Sequence, residues 1–359
     1  MNKMGKMIFV FCMLISTDCY AECTSFCFVT KDAILFGHNL DWHVGDGIIC
    51  VNKRNVTKKV CWFNSNLKWI SRYGSITINQ WGREFPSRGM NEVGLVVGEM
   101  TLKETQFPFP DSRTPISSLQ WIQYQLDNCA TIEEVIETNS KIRIDPKQYP
   151  SHFLVSDSNG NCVTMEWING KLVYHTREKL PIKVLSNSSY ASCIKYYNPN
   201  YSPTPYDYSS TARFYRAAEM IRNYDRISHG PEINYAFDIL EKVGRIGRTK
   251  WNLVFDIKKR YFYFRTDINR TIGYVDFDSI NFSCNTPVTI FEIAKQFSGN
   301  IQNHFIEYDY DINRTLITNV SKKLERYIGQ IPERDIKAMV NYPETTICNP
   351  INSVRDKKQ

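Results

Sequence analysis

The chain has 359 residues, of which 42% are hydrophobic and 23% charged, and it carries a formal net charge of +7. That length is ample for a sizeable core, and the composition is that of an ordinary globular protein and excludes a disordered chain. Lysines and arginines are scattered among acidic residues, with no basic run interleaved with aromatics, so the positive balance reads as a solvated surface and no nucleic-acid partner is expected.

The first residues read as a secretory leader. Lys3 and Lys6 make a positive start, Met7 to Ile15 is apolar but far too short to span a bilayer, and Cys19-Tyr20-Ala21 offers small residues where a signal peptidase reads them. The expectation is a signal peptide over residues 1–22, a secreted or periplasmic protein, and a single domain over 23–359; the alternative is a buried N-terminal strand or helix. No later apolar run is long enough to suggest a transmembrane helix. Eleven cysteines occur, two of them in the leader, and the rest show neither a Cys-x-x-Cys pair nor zinc-type spacing with histidine. Export would permit disulfides, whose connectivity the sequence leaves open, while buried free thiols are the alternative.

Along the mature chain, Cys23 to Phe28, Ala33 to Leu40 and Ile48 to Val51 are short apolar runs, the last two separated by the loop Gly45-Asp46-Gly47. They read as antiparallel strands. Val60 to Phe63, Ser75 to Ile78 and Gly94 to Met100 continue the pattern. Ile116 to Leu126 changes to helical spacing, and Thr131 with Glu134 forms a capping box opening a second helix from Ile132. Strands return at His152 to Val155 and Val163 to Trp167, with hairpin turns at Ser158-Asn159-Gly160 and Asn169-Gly170, and another strand ends at Val184 to Asn187. Thr211 to Ile221 and Ile233 to Val243 read as helices, Lys250 to Phe264 as a hairpin turning at Lys258-Lys259, and Phe291 to Phe297 as a short helix. Amphipathic stretches at Val320 to Ile328 and Asp335 to Val340 precede a polar tail at 355–359. Strands and helices arranged in blocks argue α+β or layered α/β.

Chemistry points first to Cys23. If the leader and Glu22 are removed, Cys23 presents a thiol and a free α-amine together. With a pKa near ~8, that amine can accept the thiol proton at neutral pH, so that nucleophile and base are one residue. A lipoprotein cysteine is the rival reading, but Glu22 precedes it and Tyr20 stands where a Leu is usual.

The second feature is Gly37-His38-Asn39-Leu40-Asp41-Trp42. Together with Cys23-Thr24-Ser25-Phe26 it resembles the start of mature choloylglycine hydrolases and penicillin V acylases, the cysteine-type linear amide hydrolases related to acid ceramidase. Gly89-Met90-Asn91-Glu92-Val93-Gly94-Leu95, Val184-Leu185-Ser186-Asn187 and Ser210-Thr211-Ala212-Arg213-Phe214 look like further motifs of that family in the same order.

The resemblance implies an α+β fold, the N-terminal nucleophile hydrolase αββα sandwich of two antiparallel sheets flanked by helices. It also implies roles. Cys23 would be the nucleophile that forms a thioester, Asp41 would orient its α-amine, Asn187 would donate to the oxyanion, and Arg213 would sit near the thiolate or brace the site. Asn187-Ser188-Ser189 is also a glycosylation sequon, which a buried site residue would not use. Two positions depart from the family. Thr101 falls where an oxyanion-hole Asn is usual, leaving its N–H or hydroxyl to serve. His38 replaces an Arg close to the nucleophile, and a histidine doing that work would favour acid pH.

The expected reaction is hydrolysis of a linear amide in an N-acyl substrate of the penicillin V, conjugated bile salt, acyl-homoserine lactone or fatty-acyl amide type. An acyltransferase using the same thioester and a secreted binding protein with lost catalysis are the alternatives. No cofactor is expected. His38, Asp41 and His43 tempt a metal reading, but a strand turns residues i and i+3 to opposite faces. Relatives are often tetramers, which makes a homo-oligomer an expectation too.

Overall fold

The computed structural model describes residues 20–63, 65–198, 200 and 202–350, so most of the leader expectation and the 355–359 tail lie outside the described residues. Among the described residues two large sheets carry the fold. A seven-stranded sheet runs in the order Val184–Leu185, Glu22–Val29, Ile34–Asp41, Thr249–Asp256, Tyr261–Thr266, Gly273–Asp276, Gly299–Asn300. It is antiparallel except at its last pairing. The second sheet has nine strands, and its centre is built from Ser151–Ser156, Val96–Thr101, Arg88–Asn91, Ser75–Asn79 and Ile48–Asn52, all antiparallel.

The two sheets stack. Phe36 and Leu40 from the first share one buried cluster with Ile76, Ile78, Met90, Val96 and Met100 from the second. Close approach here depends on glycine, because a Cβ on Gly98 of the second sheet would lie 3.1 Å from the Phe36 ring of the first. Helices Ser210–Arg222 and Glu232–Val243 cover the outer face of the first sheet. On the second sheet, helices Ser118–Asn128 and Ile132–Thr138 belong with a separate cluster in which Trp121, Phe153 and Trp167 meet. The capping box read from Thr131 and Glu134 is present. This is the sandwich of two antiparallel sheets flanked by helices.

The register positions the site. In the first sheet Cys23 lies opposite Leu40, Ser25 opposite His38 and Thr24 opposite Asn39. Directly opposed residues share a face. Cys23 and His38 therefore look toward the second sheet, while Thr24, Asn39 and Asp41 look toward the helices, where Asn39 Nδ2 donates to Leu240 O at 2.7 Å. A register shift between Thr249 and Trp251 brings Thr249 opposite Asp41.

Two expected elements are corrected. Val60 to Phe63 is a bend and turn, not a strand, with Phe63 at φ 75°. The strand is Val56–Lys59 just before it, hidden by its charge. There Lys58 is buried and offsets its lost hydration with Glu84 at 2.6 Å and Asp127 at 3.0 Å. Phe291 to Phe297 is not helical, because Thr289–Glu292 pairs with Ile48–Asn52 as a strand, setting Phe291 opposite Ile49. Cys284 and Cys348 form a disulfide, and Cys23, Cys27, Cys50, Cys61, Cys129, Cys162 and Cys193 are free thiols.

Candidate active site

Cys23 sits at the floor of a cavity of about 840 Å³. Its walls are mainly apolar, with Leu40, Trp42, Trp62, Phe63, Trp81, Met100, Ile328 and Met339, while Gln80, Arg88, Glu99 and Thr101 add polar groups to the lining. The side chain is 1% exposed. Burial pushes the Cys23 thiol up to about 12, with Asp41 adding to the rise and Arg88 and Arg213 opposing it. A thiol held this high needs a base in contact with it before it can act as a nucleophile.

Arg213 organises the backbone around it. This side chain, fully buried on the Ser210–Arg222 helix, donates through Nη1 to Cys23 O at 2.6 Å and to Thr24 Oγ1 at 2.7 Å. Through Nη2 it donates to Asn187 Oδ1 at 2.7 Å, and through Nε to Tyr208 O at 3.2 Å. The planar fork thus ties three elements together. Asn187 Oδ1 also accepts from the Cys23 backbone N at 2.8 Å. With both acceptor positions filled, the Asn187 amide can only point its Nδ2 donors outward, toward Thr101 O at 2.8 Å and Ala21 O at 3.2 Å.

Asp41 has one carboxylate oxygen held by Thr249 Oγ1 at 2.6 Å, and its other oxygen is buried with no partner. Burial raises its pKa to about 7, against the pull of Arg213, the Thr249 hydroxyl and Arg245. A buried acceptor without a donor is costly, and it marks where a cation or N–H group is missing. The sign of the shift gives a prediction. The folded chain binds this proton more tightly than the unfolded one, so the stability Asp41 contributes is full below pH ~4 and is lost as pH rises through about 7. In the chain that retains residues 1–22, Asp41→Asn should therefore flatten the fall in Tm between pH 5 and 7.5. An unchanged slope in thermal melts would count against the raised pKa.

The residues just upstream occupy the site. Glu22 pairs with Arg245 and lies 3.9 Å from Arg213. Tyr20 packs on Tyr149 at 5.8 Å between ring centroids, and Ala21 lines the cavity.

His38 is buried beside Cys23's strand, with Nδ1 2.6 Å from Ser25 Oγ and Nε2 without a partner. Burial, helped by Arg88, holds its pKa well below the ordinary histidine range, so the ring is neutral and the acid-pH expectation does not follow from it. Thr101 meets Asn187 through its carbonyl, and its hydroxyl is turned to Tyr149 OH at 3.4 Å. The structure thus brings Asn187 and Arg213 onto the Cys23 backbone and Thr101 into the cavity wall beside it, with His38 on the same face of the sheet as Cys23 and Asp41 on the other. His38 and Asp41 point to opposite faces of their strand, and no cluster of metal-binding side chains occurs among the described residues.

The family model described as linear amide C-N hydrolases, choloylglycine hydrolase family, matches residues 23–202. The chain belongs to this family. A penicillin V acylase from Pectobacterium atrosepticum is 26% identical over 264 residues, which is 61% of this chain and 70% of that protein. The structure of penicillin V acylase from Agrobacterium tumefaciens aligns with a TM-score of 0.71 and 23% identity, covering 80% of this chain and 98% of that one. A mutant of the conjugated bile acid hydrolase from Clostridium perfringens aligns with a TM-score of 0.60 and 22% identity, covering 77% of this chain and 98% of that one. At such identities the structural likeness speaks for the shared fold.

Four residues were not anticipated from the sequence. Thr249 reaches Asp41 across a strand bulge, Arg245 meets Glu22 from the loop before it, and Arg88 and Glu99 come from the second sheet. No sequence pattern marked Arg88, which stands between Pro86-Ser87 and Gly89.

Proposed function

We propose that the mature protein, a single domain beginning at Cys23, hydrolyses a linear amide in an N-acyl substrate outside the cytoplasm. The observation that carries this reading is the chain of hydrogen bonds from Arg213 through Asn187 to the Cys23 backbone N, opening onto an apolar cavity. Membership of the linear amide hydrolase family and a family match that begins at residue 23 support it, and the Cys284–Cys348 disulfide supports an oxidising compartment.

With residues 1–22 gone, the Cys23 N becomes an α-amine. It takes the thiol proton and, as an ammonium, finds an anionic partner in Asp41, whose open oxygen is otherwise unsatisfied. The thiolate attacks the substrate carbonyl carbon, and the resulting oxyanion accepts from Asn187 Nδ2. The ammonium returns its proton to the leaving amine as the C–N bond breaks, leaving a thioester on Cys23. Water, deprotonated by the amine, then cleaves the thioester and releases the acid. The cavity's aromatic walls suit an aromatic or long aliphatic acyl group, which the sequence-level list of penicillin V, conjugated bile salt, acyl-homoserine lactone and fatty-acyl amide shares.

The test begins with the intact mass and N-terminal sequence of the exported protein, followed by amine release from one member of each of those four classes. Mature protein starting at Cys23 should release amine from at least one of them. If the N-terminus is Cys23 and none is cleaved, the hydrolase reading fails.

A further inference from the structure

Arg88 is a buried cation with no assigned work. It lies on the Arg88–Asn91 strand of the second sheet, opposite Gly98, and lines the same cavity as Cys23. It is 2% exposed, yet its Nε and Nη1 make no hydrogen bond. The one contact described for its guanidinium is the face of Trp251, whose ring centroid lies 5.4 Å away, an arrangement that steadies the group without using its N–H donors. Leaving a guanidinium buried with idle donors is expensive unless a partner arrives during function.

The charged and titratable groups around it show what that partner is. Cys23 comes from the Glu22–Val29 strand and His38 from Ile34–Asp41, while Asp41 lies on the other face of that strand. Glu99 belongs to the neighbouring strand Val96–Thr101; its Oε1 accepts from Ser151 Oγ at 2.7 Å, and its charge attracts Arg88 without forming a hydrogen bond to Nε or Nη1. His38 is neutral. Arg213 spends its donors on Cys23 O, Thr24, Asn187 and Tyr208. Of the two arginines acting on the Cys23 thiol, Arg88 is the one whose donors are free, and its charge acts on that thiol more strongly than Arg213's does.

We propose that Arg88 is a catalytic residue, the cation whose idle Nε–H and Nη1–H groups receive the negative charge that forms on Cys23 when its proton leaves. This rests on Cys23 being the nucleophile. The work that a cation beside Cys23 does is thereby supplied from the opposite sheet rather than from the position of His38. Before attack the charge on sulfur is held by the guanidinium; as the C–S bond forms, that charge moves to the substrate oxygen, where Asn187 Nδ2 takes it up.

The test is alkylation of mature protein by iodoacetamide across a pH series, with modification of Cys23 followed by peptide mass so that the other free thiols do not confuse the reading. Because alkylation needs no substrate, this result stands apart from whether any amide is cleaved. Arg88→Met should move the midpoint of Cys23 alkylation to higher pH and slow it about tenfold at pH 7, since a cation near a thiol favours the thiolate. Arg88→Lys, which keeps the stem and the charge and so guards against a variant that fails to fold, should retain most of the alkylation rate. It should nonetheless lower kcat with the best substrate, because a point charge does not replace the fork. Alkylation profiles that superimpose for wild type and Arg88→Met would overturn the proposal, as would a variant in which only KM changes.

Discussion

A chain that keeps Glu22 should not turn over an N-acyl amide, while the same chain trimmed to begin at Cys23 should. Two independent losses act on the longer chain. Its Cys23 N is a peptide nitrogen, which donates to Asn187 Oδ1 but has no basic lone pair, so a thiol raised to about 12 has nothing to take its proton. Its Ala21 carbonyl sits on Asn187 Nδ2 at 3.2 Å, where an oxyanion would need to be. General-base catalysis contributes roughly 10²–10⁴ in rate and a single oxyanion donor roughly 10²–10³, so the combined deficit reaches at least about 10⁴. The measurement is kcat/KM for matched preparations whose N-termini are verified by mass. A chain retaining Glu22 with activity within tenfold of the trimmed chain would remove the α-amine from the mechanism.

The same contacts show why trimming leaves the site standing. Arg213 holds Cys23 through its carbonyl and Thr24 through its hydroxyl, both C-terminal to the cut. What the cut releases is Glu22 from Arg245 and Tyr20 from Tyr149. The Cys23 peptide N–H, bonded to Asn187 Oδ1 and one residue on from the Glu22–Asp41 pair, is exchanged for a cation, which should favour the ionised carboxylate and draw its pKa down from about 7. The Asp41 and Cys23 shifts therefore describe the chain that retains residues 1–22, and both should relax together in a chain trimmed to begin at Cys23.

Much of this was legible in the sequence, and the residues show where it stopped. Short apolar runs bounded by turn residues located Glu22–Val29, Ile34–Asp41 and Ile48–Asn52, because those strands are buried and carry few charges. Helix Ser210–Arg222 was readable as Thr211 to Ile221, but not the side of the sheet from which Arg213 arrives. The strand Val56–Lys59 was not readable, since its lysine is buried by pairing with Glu84 and Asp127, residues 26 and 69 positions away in the chain. That misreading gave Trp62 and Phe63 to a strand, when they are cavity wall. Arg88 escaped for a related reason: nothing in its run marks it, and only the stacking of the second sheet on the first buries it in the cavity that Cys23 lines. Local pattern specifies which elements form. Which side chains share a cavity is decided by contacts between distant segments.

Asn187→Ala and Arg213→Lys should each lower kcat by about 10²–10³, and the double variant should be scarcely worse than either. The first removes the donor, worth about 3–4 kcal/mol of barrier in comparable sites. The second leaves the donor in place but unfixes it. Asn187 presents Nδ2 to the cavity only because Oδ1 is held from two sides, by Cys23 N and by Arg213 Nη2. A lysine offers three donors on one atom and cannot reach Cys23 O, Thr24 Oγ1 and Asn187 Oδ1 together, so the amide is free to rotate and present its oxygen to an incoming oxyanion. Residues that act through one interaction are strongly non-additive, and a double-mutant cycle on kcat measures the coupling. Losses that multiply would mean Arg213 acts on the reaction by a route that does not pass through Asn187. Thermal melts belong alongside the kinetics, since Arg213 is fully buried and its replacement also leaves Tyr208 O and Thr24 Oγ1 short of a donor. A Tm change without the coupling would assign Arg213 to the fold, and the coupling with both variants folded would assign it to the orientation of Asn187.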